Sequence, residues 1–306
     1  MNKTKFSSKL NELCINQQLS NKKAVIVLQN KNYNEFGKLD TVTFSRWKTG
    51  TTRPSLYKQL YVLKYLGCSI ERALLEDRLS FLPACKKKER IFDNFVRNVD
   101  FSMAALSYHH YVSDHQLEEH IFCTEEYENY FGEFYNNINS LKLLKDEIYT
   151  KSKNINYNVF VVKNKLGFML GHLSSYRNLR LIVKNHTKLL NITSDEVKGS
   201  VLVDLFYYKN SKIFFEILTY SLAKYLENCI NKIEFAYVFI PSLKPVVRLS
   251  ELVFDAELVR SFPSTNHTLG VHLMKFDLMK VIASPIVIKN LRSFLIDISD
   301  KNTTIK

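Results

Sequence analysis

What this 306-residue chain lacks narrows its class before any motif is considered. It has no run of about 18 uncharged apolar residues, the length a helix needs to cross a bilayer, so no membrane-spanning helix is expected. The opening MNKTKFSSKLNEL carries no apolar block of the signal-peptide kind, and a cytoplasmic location is expected. Five cysteines, Cys14, Cys68, Cys85, Cys123 and Cys229, are an odd number, widely spaced, with no CxxC pair. That pattern fits reduced, small buried thiols and argues against a disulfide framework or a zinc site. HExxH, P-loop, GxGxxG and Ser/His/Asp patterns are all missing, and there is no internal repeat. No catalytic residue and no metal ligand is therefore assigned.

Acidic charge is scarce too, above all near the N-terminus. Residues 1–80 hold 14 Lys+Arg against 6 Asp+Glu, a net +8, while the rest hold 29 against 24, a net +5 of the total +13. Net positive charge per residue is several times higher in the first quarter. An anionic partner, nucleic acid or membrane surface, is expected there. The length suits two domains, and 46% apolar residues suffice for real cores.

What is present at the start reads as short helices. Phe6, Leu10, Leu13 and Cys14 fall at helical spacing, predicting a first helix from Phe6 to Gln18. Ser20 is placed to cap a second, whose run Ala24–Leu28 should be mostly buried. A polar stretch follows, with a turn at Gly37. Asp40 caps a third helix, Thr41 to about Thr49, in which Phe44 and Trp47 face the core. Gly50 ends it in a left-handed conformation. Ser55–Leu66 and Ser69–Leu79 give a fourth and fifth helix.

Five helices with Thr43-Phe44-Ser45-Arg46-Trp47-Lys48-Thr49-Gly50-Thr51-Thr52-Arg53-Pro54 in the third and its exit resemble the XRE family of Cro/repressor-type helix-turn-helix regulators. The likeness covers roughly residues 6–80. Two departures stand out: extra residues at 31–39 before the third helix, and Lys48 where the family has an acid. The resemblance implies double-stranded DNA as partner, a homodimer, and a recognition helix in the major groove. Thr41, Val42, Thr43, Ser45 and Arg46 then lie at or near its exposed end, with Arg46 the candidate for guanine. Lys48, Thr51, Thr52 and Arg53 suit phosphates, as do Lys22 and Lys23 at the start of the second helix. Trp47 reads as core.

Pro83 and the charge run 86–90 mark a boundary. Residues 81–119 read as a helical connector and possible dimer contact, with 91–106 amphipathic. His109, His110, His115 and His120 beside Asp114, Glu118 and Glu119 lack metal-ligand spacing and read as a surface or interface cluster titrating near neutral pH. Residues 124–150 read as one or two helices.

From residue 156 the period shifts from helical to alternating. Strands are expected at 158–162, 166–174, 201–208, 232–240, 256–260 and 269–276. Helices are expected at about 179–190, at 211–228 and at 246–253. The tail from Met279 is expected to close the core or pair subunits, and 301–306 to be disordered. The fold class is thus multidomain, an all-α helix-turn-helix domain (1–80) followed by an α/β domain (120–306). The order hairpin, strand, long helix, strand, short helix, hairpin resembles the GNAT acetyltransferase fold. That family holds the acetyl-CoA pyrophosphate on a glycine-rich loop after the central strand. Here the loop is Tyr208-Lys209-Asn210-Ser211-Lys212, with no glycine, and the helix at 246–253 lacks the family's tyrosine acid. Lys209, Asn210, Ser211 and Lys212 remain a possible anion or ligand site, Asp204 reads as a solvent-facing strand residue in preference to a base, and acetyl-CoA is not favoured. The expected function is a DNA-binding transcription regulator whose second domain senses a small-molecule or protein effector or oligomerises. The alternative is an N-acetyltransferase fused to a DNA-targeting domain.

Overall fold

The computed structural model describes residues 4–79, 85–104, 115–136, 138, 141–142, 155–176, 179, 182, 190, 192, 197–264 and 269–304. The chain forms two compact units, one of residues 1–84 with 285–306 and one of residues 85–284. Among the described residues no helix is long and apolar enough to cross a membrane.

The first unit is all helical: α1 (Lys5–Asn16), α2 (Asn21–Lys31), α3 (Tyr33–Phe36), α4 (Thr41–Thr49), α5 (Leu56–Tyr65) and α6 (Ile70–Leu75), with the C-terminal helix Pro285–Thr304. Local chemistry sets the ends. Thr4, Ser20, Asp40 and Ser69 each accept a backbone N–H three residues on, satisfying donors that the first helical turn leaves open. The core is Phe6, Leu10, Leu28, Phe36, Phe44, Leu60, Tyr61 and Leu63, all 1% exposed or less. The polar stretch before α4 is not a plain turn, since α3 fills part of it. The apolar run of α2 is mostly buried as expected, through Ala24, Val25 and Leu28, while Ile26 is 44% exposed on the face opposite Ala24 and Leu28.

The C-terminal helix belongs with this unit and not with the α/β core, unlike the 120–306 boundary. Asp77, at φ 53° after α6, receives Lys5 and also Arg292 at 2.9 Å. The helix also runs to Thr304, into the stretch read as disordered. Gly50 ends α4 at φ 78°, and Thr51 N–H returns to the Arg46 carbonyl at 2.9 Å. A Cβ there would sit 3.3 Å from Ser7 Oγ. Gly50→Ala is expected to destabilise this unit by about 1–2 kcal/mol, from the left-handed backbone, as a lowered urea midpoint with unchanged slope.

The second unit is α/β. It holds α7 (Lys86–Ala104), β1 (His115–Phe122), α8 (Thr124–Asn136), β2 (Tyr157–Asn164), β3 (Met169–Tyr176), β4 (Ser200–Val203), β5 (Tyr207–Tyr208), α9 (Ser211–Asn228), β6 (Phe235–Pro241), α10 (Lys244–Leu252), β7 (Glu257–Phe262), β8 (Val271–Asp277) and α11 (Leu278–Ile282). The eight strands form one sheet in the order β1-β2-β3-β4-β6-β8-β7, with β5 on β3. Among the described residues only β4 and β6 run parallel, because α9 carries the chain between them; the other pairs are antiparallel. Connector and domain do not divide at 119: α7 starts with the charge run, and β1 is a sheet strand that takes in 115–119, expected as the end of a helical connector. The segment read as one strand, 201–208, is two pieces separated by Asp204–Phe206. The helix expected at about 179–190 lies mostly outside the described residues.

Candidate functional site

In the first unit α4 is two-faced. Phe44 and Trp47 are buried, with ring centroids 6.4 Å apart. Thr41, Val42 and Arg46 are exposed on the other side, and Thr43 and Ser45 are half-buried between. Val42 is 57% exposed. Asp40 Oδ1 accepts the Thr43 N–H at 2.5 Å, and this bond holds the Asp40 carboxyl below the usual carboxylate range. A lowered folded-state pKa means the cap is complete above the unfolded-state value and lost as pH falls through the folded one.

The far end of α4 is tied to its neighbours. Asn11 Nδ2 donates to the Lys48 carbonyl at 2.6 Å, and Lys48 Nζ to Asn21 Oδ1 at 3.2 Å. Lys48 is thereby brought beside the first turn of α2, where Lys22 and Lys23 are exposed. Thr51, Thr52 and Arg53 are exposed in the turn after Gly50, with Thr49 and Thr51 hydroxyls 2.8 Å apart. Gln59, fully buried, donates to the Pro54 carbonyl at 3.0 Å and fixes the exit of that turn.

In the second unit, residues 209–212 are gathered at the start of α9 but already engaged. Asn210 Oδ1 accepts from Ile213 N at 2.9 Å. Ser211 N and Ser211 Oγ both donate to the Asp100 carboxylate of α7, each at 2.7 Å. A helix N-terminus favours an anion, and here the anion is the chain's own carboxylate. Lys209 is half-buried and Lys212 exposed. Asp100 sits 111 residues from Ser211 in the chain, and no sequence signal links them.

A second cluster escaped the sequence reading. Asp204 is not solvent-facing; it is 1% exposed. Its Oδ2 accepts from Tyr127 OH at 2.9 Å and Tyr176 OH at 3.2 Å. The Tyr127 and Ser174 hydroxyls lie 2.7 Å apart, and Tyr135 OH is 3.2 Å from His172 Nε2. Tyr127 stacks on Tyr157 at 3.9 Å between ring centroids. Burial, with the Asp204 charge added, pushes the Tyr127 hydroxyl well above the usual phenol range. Tyr127 and Tyr135 come from α8, His172 and Ser174 from β3, and Asp204 from the break after β4. At 0–1% exposure these groups form a polar core that fixes α8 on the sheet.

Of the histidine cluster, His109, His110 and Asp114 lie outside the described residues. His115 and His120 do not converge: His115 Nε2 meets Glu216 Oε2 at 2.5 Å, and His120 meets Glu118 at 3.0 Å.

No family model matches the chain, and no curated protein does. Solved structures are similar over about half of it. Mutant forms of the spermidine/spermine N-acetyltransferase SpeG from Vibrio cholerae cover 55% of this chain and 98% of their own, at 14% identity and TM-score 0.31. The AHL synthase LasI covers 56% of this chain and 96% of its own, at 13% identity and TM-score 0.33. A GNAT-family protein from Desulfovibrio desulfuricans covers 54% of this chain and 99% of its own, at 7% identity and TM-score 0.31. The second unit's own order of elements (hairpin, strand, long helix, strand, short helix, hairpin) is the GNAT-like one read from the sequence, on a mixed sheet.

Proposed function

We propose that the chain is a sequence-specific transcription regulator, cytoplasmic and homodimeric, that binds double-stranded DNA through a helix-turn-helix formed by α2 and α4. The α/β unit is the regulatory or oligomerising part, responding to a small-molecule or protein effector. One observation carries this reading: α4 turns Thr41, Val42 and Arg46 outward from a fully packed Phe44/Trp47 face. Exposed hydroxyls, a methyl-bearing side chain and one arginine are the groups that read base edges. Lys22, Lys23, Lys48, Thr51, Thr52 and Arg53 flank them and suit phosphates. In a mobility-shift competition, wild type should hold a duplex it has selected against excess random duplex. Arg46→Ala should lose that preference while still binding both at low salt. Unchanged preference in Arg46→Ala would remove α4 from the readout.

The sheet order favours a second reading, an N-acetyltransferase with a DNA-targeting unit. Against it stand the glycine-free loop 208–212 and the Asp100 carboxylate on Ser211. Calorimetry with acetyl-CoA separates the two. No heat of binding is expected for wild type, whereas tight binding would make transfer the better reading. Asp100→Ala removes two hydrogen bonds to a charged acceptor and should cost about 1.5–3 kcal/mol per bond, seen as a lower melting temperature.

A further inference from the structure

The stretch between α2 and α4 is a built element with an outward face of its own. Asn32 caps α3 by accepting the Glu35 N–H at 3.1 Å. Phe36 is 1% exposed and packs edge-on against Tyr65 at 6.4 Å. Gln29 Nε2 donates to the Leu39 carbonyl at 3.0 Å, and Lys58 Nζ to the Glu35 carbonyl at 3.3 Å. These bonds fix the entry to α4. Facing outward are Lys31, Asn34 and Lys38, all exposed, and Tyr33, 74% exposed. The Tyr33 ring lies over Gly37: a Cβ at Gly37 would meet a ring carbon at 3.0 Å and the Tyr33 carbonyl at 2.7 Å. The ring is thus held next to Lys38.

Charge says what this face fits. From Ser20 to Lys58 the chain has eight Lys and Arg against two acids. Glu35 pairs with Lys58 at 3.9 Å, and Asp40 is committed to the cap of α4. The exposed charge of the segment is then that of Lys22, Lys23, Lys31, Lys38, Arg46 and Arg53 against one exposed carboxylate, Asp40.

We propose that Lys31, Tyr33 and Lys38 form a second DNA contact, gripping the sugar–phosphate backbone at the rim of the groove whose bases α4 reads. This rests on the DNA-binding reading above. Lys38 stands two residues before Asp40, and three residues of chain span at most about 10 Å. The major groove is about 12 Å wide. With the start of α4 in the groove, Lys38 and the adjoining Tyr33 are then within about one groove width of the bases that α4 reads, the reach of a phosphate contact at its rim. Lysines act as point charges there, and the tyrosine hydroxyl donates a hydrogen bond to a phosphate oxygen. Such contacts raise affinity for every sequence and add no preference.

The test is binding by full-length protein to a random-sequence duplex pool, and to a duplex selected from it by wild type, over a salt series. Lys31→Ala/Lys38→Ala should weaken both by the same factor. It should also shrink the slope of log K against log salt by about 1.8, at about 0.9 per lost phosphate contact. Tyr33→Phe, which keeps the ring, should weaken both with no change of slope. A wild-type slope in the double variant, with melting unchanged, overturns the proposal while leaving the role of α4 standing. Failure of folded wild type to bind either duplex at low salt would instead overturn the DNA-binding reading itself. Lys31→Gln/Lys38→Gln should behave as the alanine pair does, which separates loss of charge from loss of the side-chain stem.

Discussion

Trp47→Ala is expected to unfold the first unit near physiological temperature, while Arg46→Ala, one residue away, leaves its stability within about 0.5 kcal/mol of wild type. The contrast follows from α4 geometry. Trp47 is 7% exposed and Phe44 0%, with ring centroids 6.4 Å apart. Truncating a buried tryptophan costs about 3–5 kcal/mol, from lost transfer energy and the cavity left behind. Whole domains are stable by only about 5–15 kcal/mol. Trp47→Phe should recover much of the loss. Arg46 stands on the opposite face, exposed, so its truncation removes neither packing nor a buried hydrogen bond. Thermal melts followed by circular dichroism check both. A wild-type melt for Trp47→Ala would mean that the helix is turned with its tryptophan outward, and the assignment of Thr41, Val42 and Arg46 as readers would fail with it.

Asp204→Ala should destabilise the second unit by about 3 kcal/mol or more. Two tyrosine hydroxyls, from Tyr127 and Tyr176, converge on one buried carboxylate oxygen. Hydrogen bonds to a charged group are worth about 1.5–3 kcal/mol each. Asp204→Asn retains a carbonyl acceptor of the same size and should cost less. Tyr127→Phe in the Asp204→Ala background should cost less than Tyr127→Phe alone, because one of its partners, the charged one, is already gone. That coupling, read from a double-mutant cycle in denaturant, is the signature of a shared network. Additive losses would show that the hydroxyl and the carboxylate contribute independently.

The legible parts of this chain were those decided locally. Ser20, Asp40 and Gly50 act within one helical turn, so α2 and α4 are found where capping and stop residues place them. The amphipathic run 211–228 is matched residue for residue by α9. α3 was not legible because four residues show no helical period, and only the buried Phe36 distinguishes them from a loop. β1 was missed because HQLEEHIF is an edge strand with no residue fully buried, and its apolar residues, Leu117, Ile121 and Phe122, do not alternate along it. Asp204 was misread for the opposite reason. A carboxylate in an apolar strand reads as solvent-facing unless its partners are known, and Tyr127 lies 77 residues earlier. The Asp100 contact to Ser211 is equally non-local, and it changes what the start of α9 offers a ligand.

The central claim is that the exposed end of α4 chooses a DNA sequence. Selection from a random duplex pool by the full-length protein, sequenced over successive rounds, tests it most directly. Wild type is predicted to enrich a common site, Arg46→Ala to enrich none, and both to melt alike. A folded wild type that binds the pool yet enriches no sequence, or an Arg46→Ala protein that enriches the same site, would contradict it.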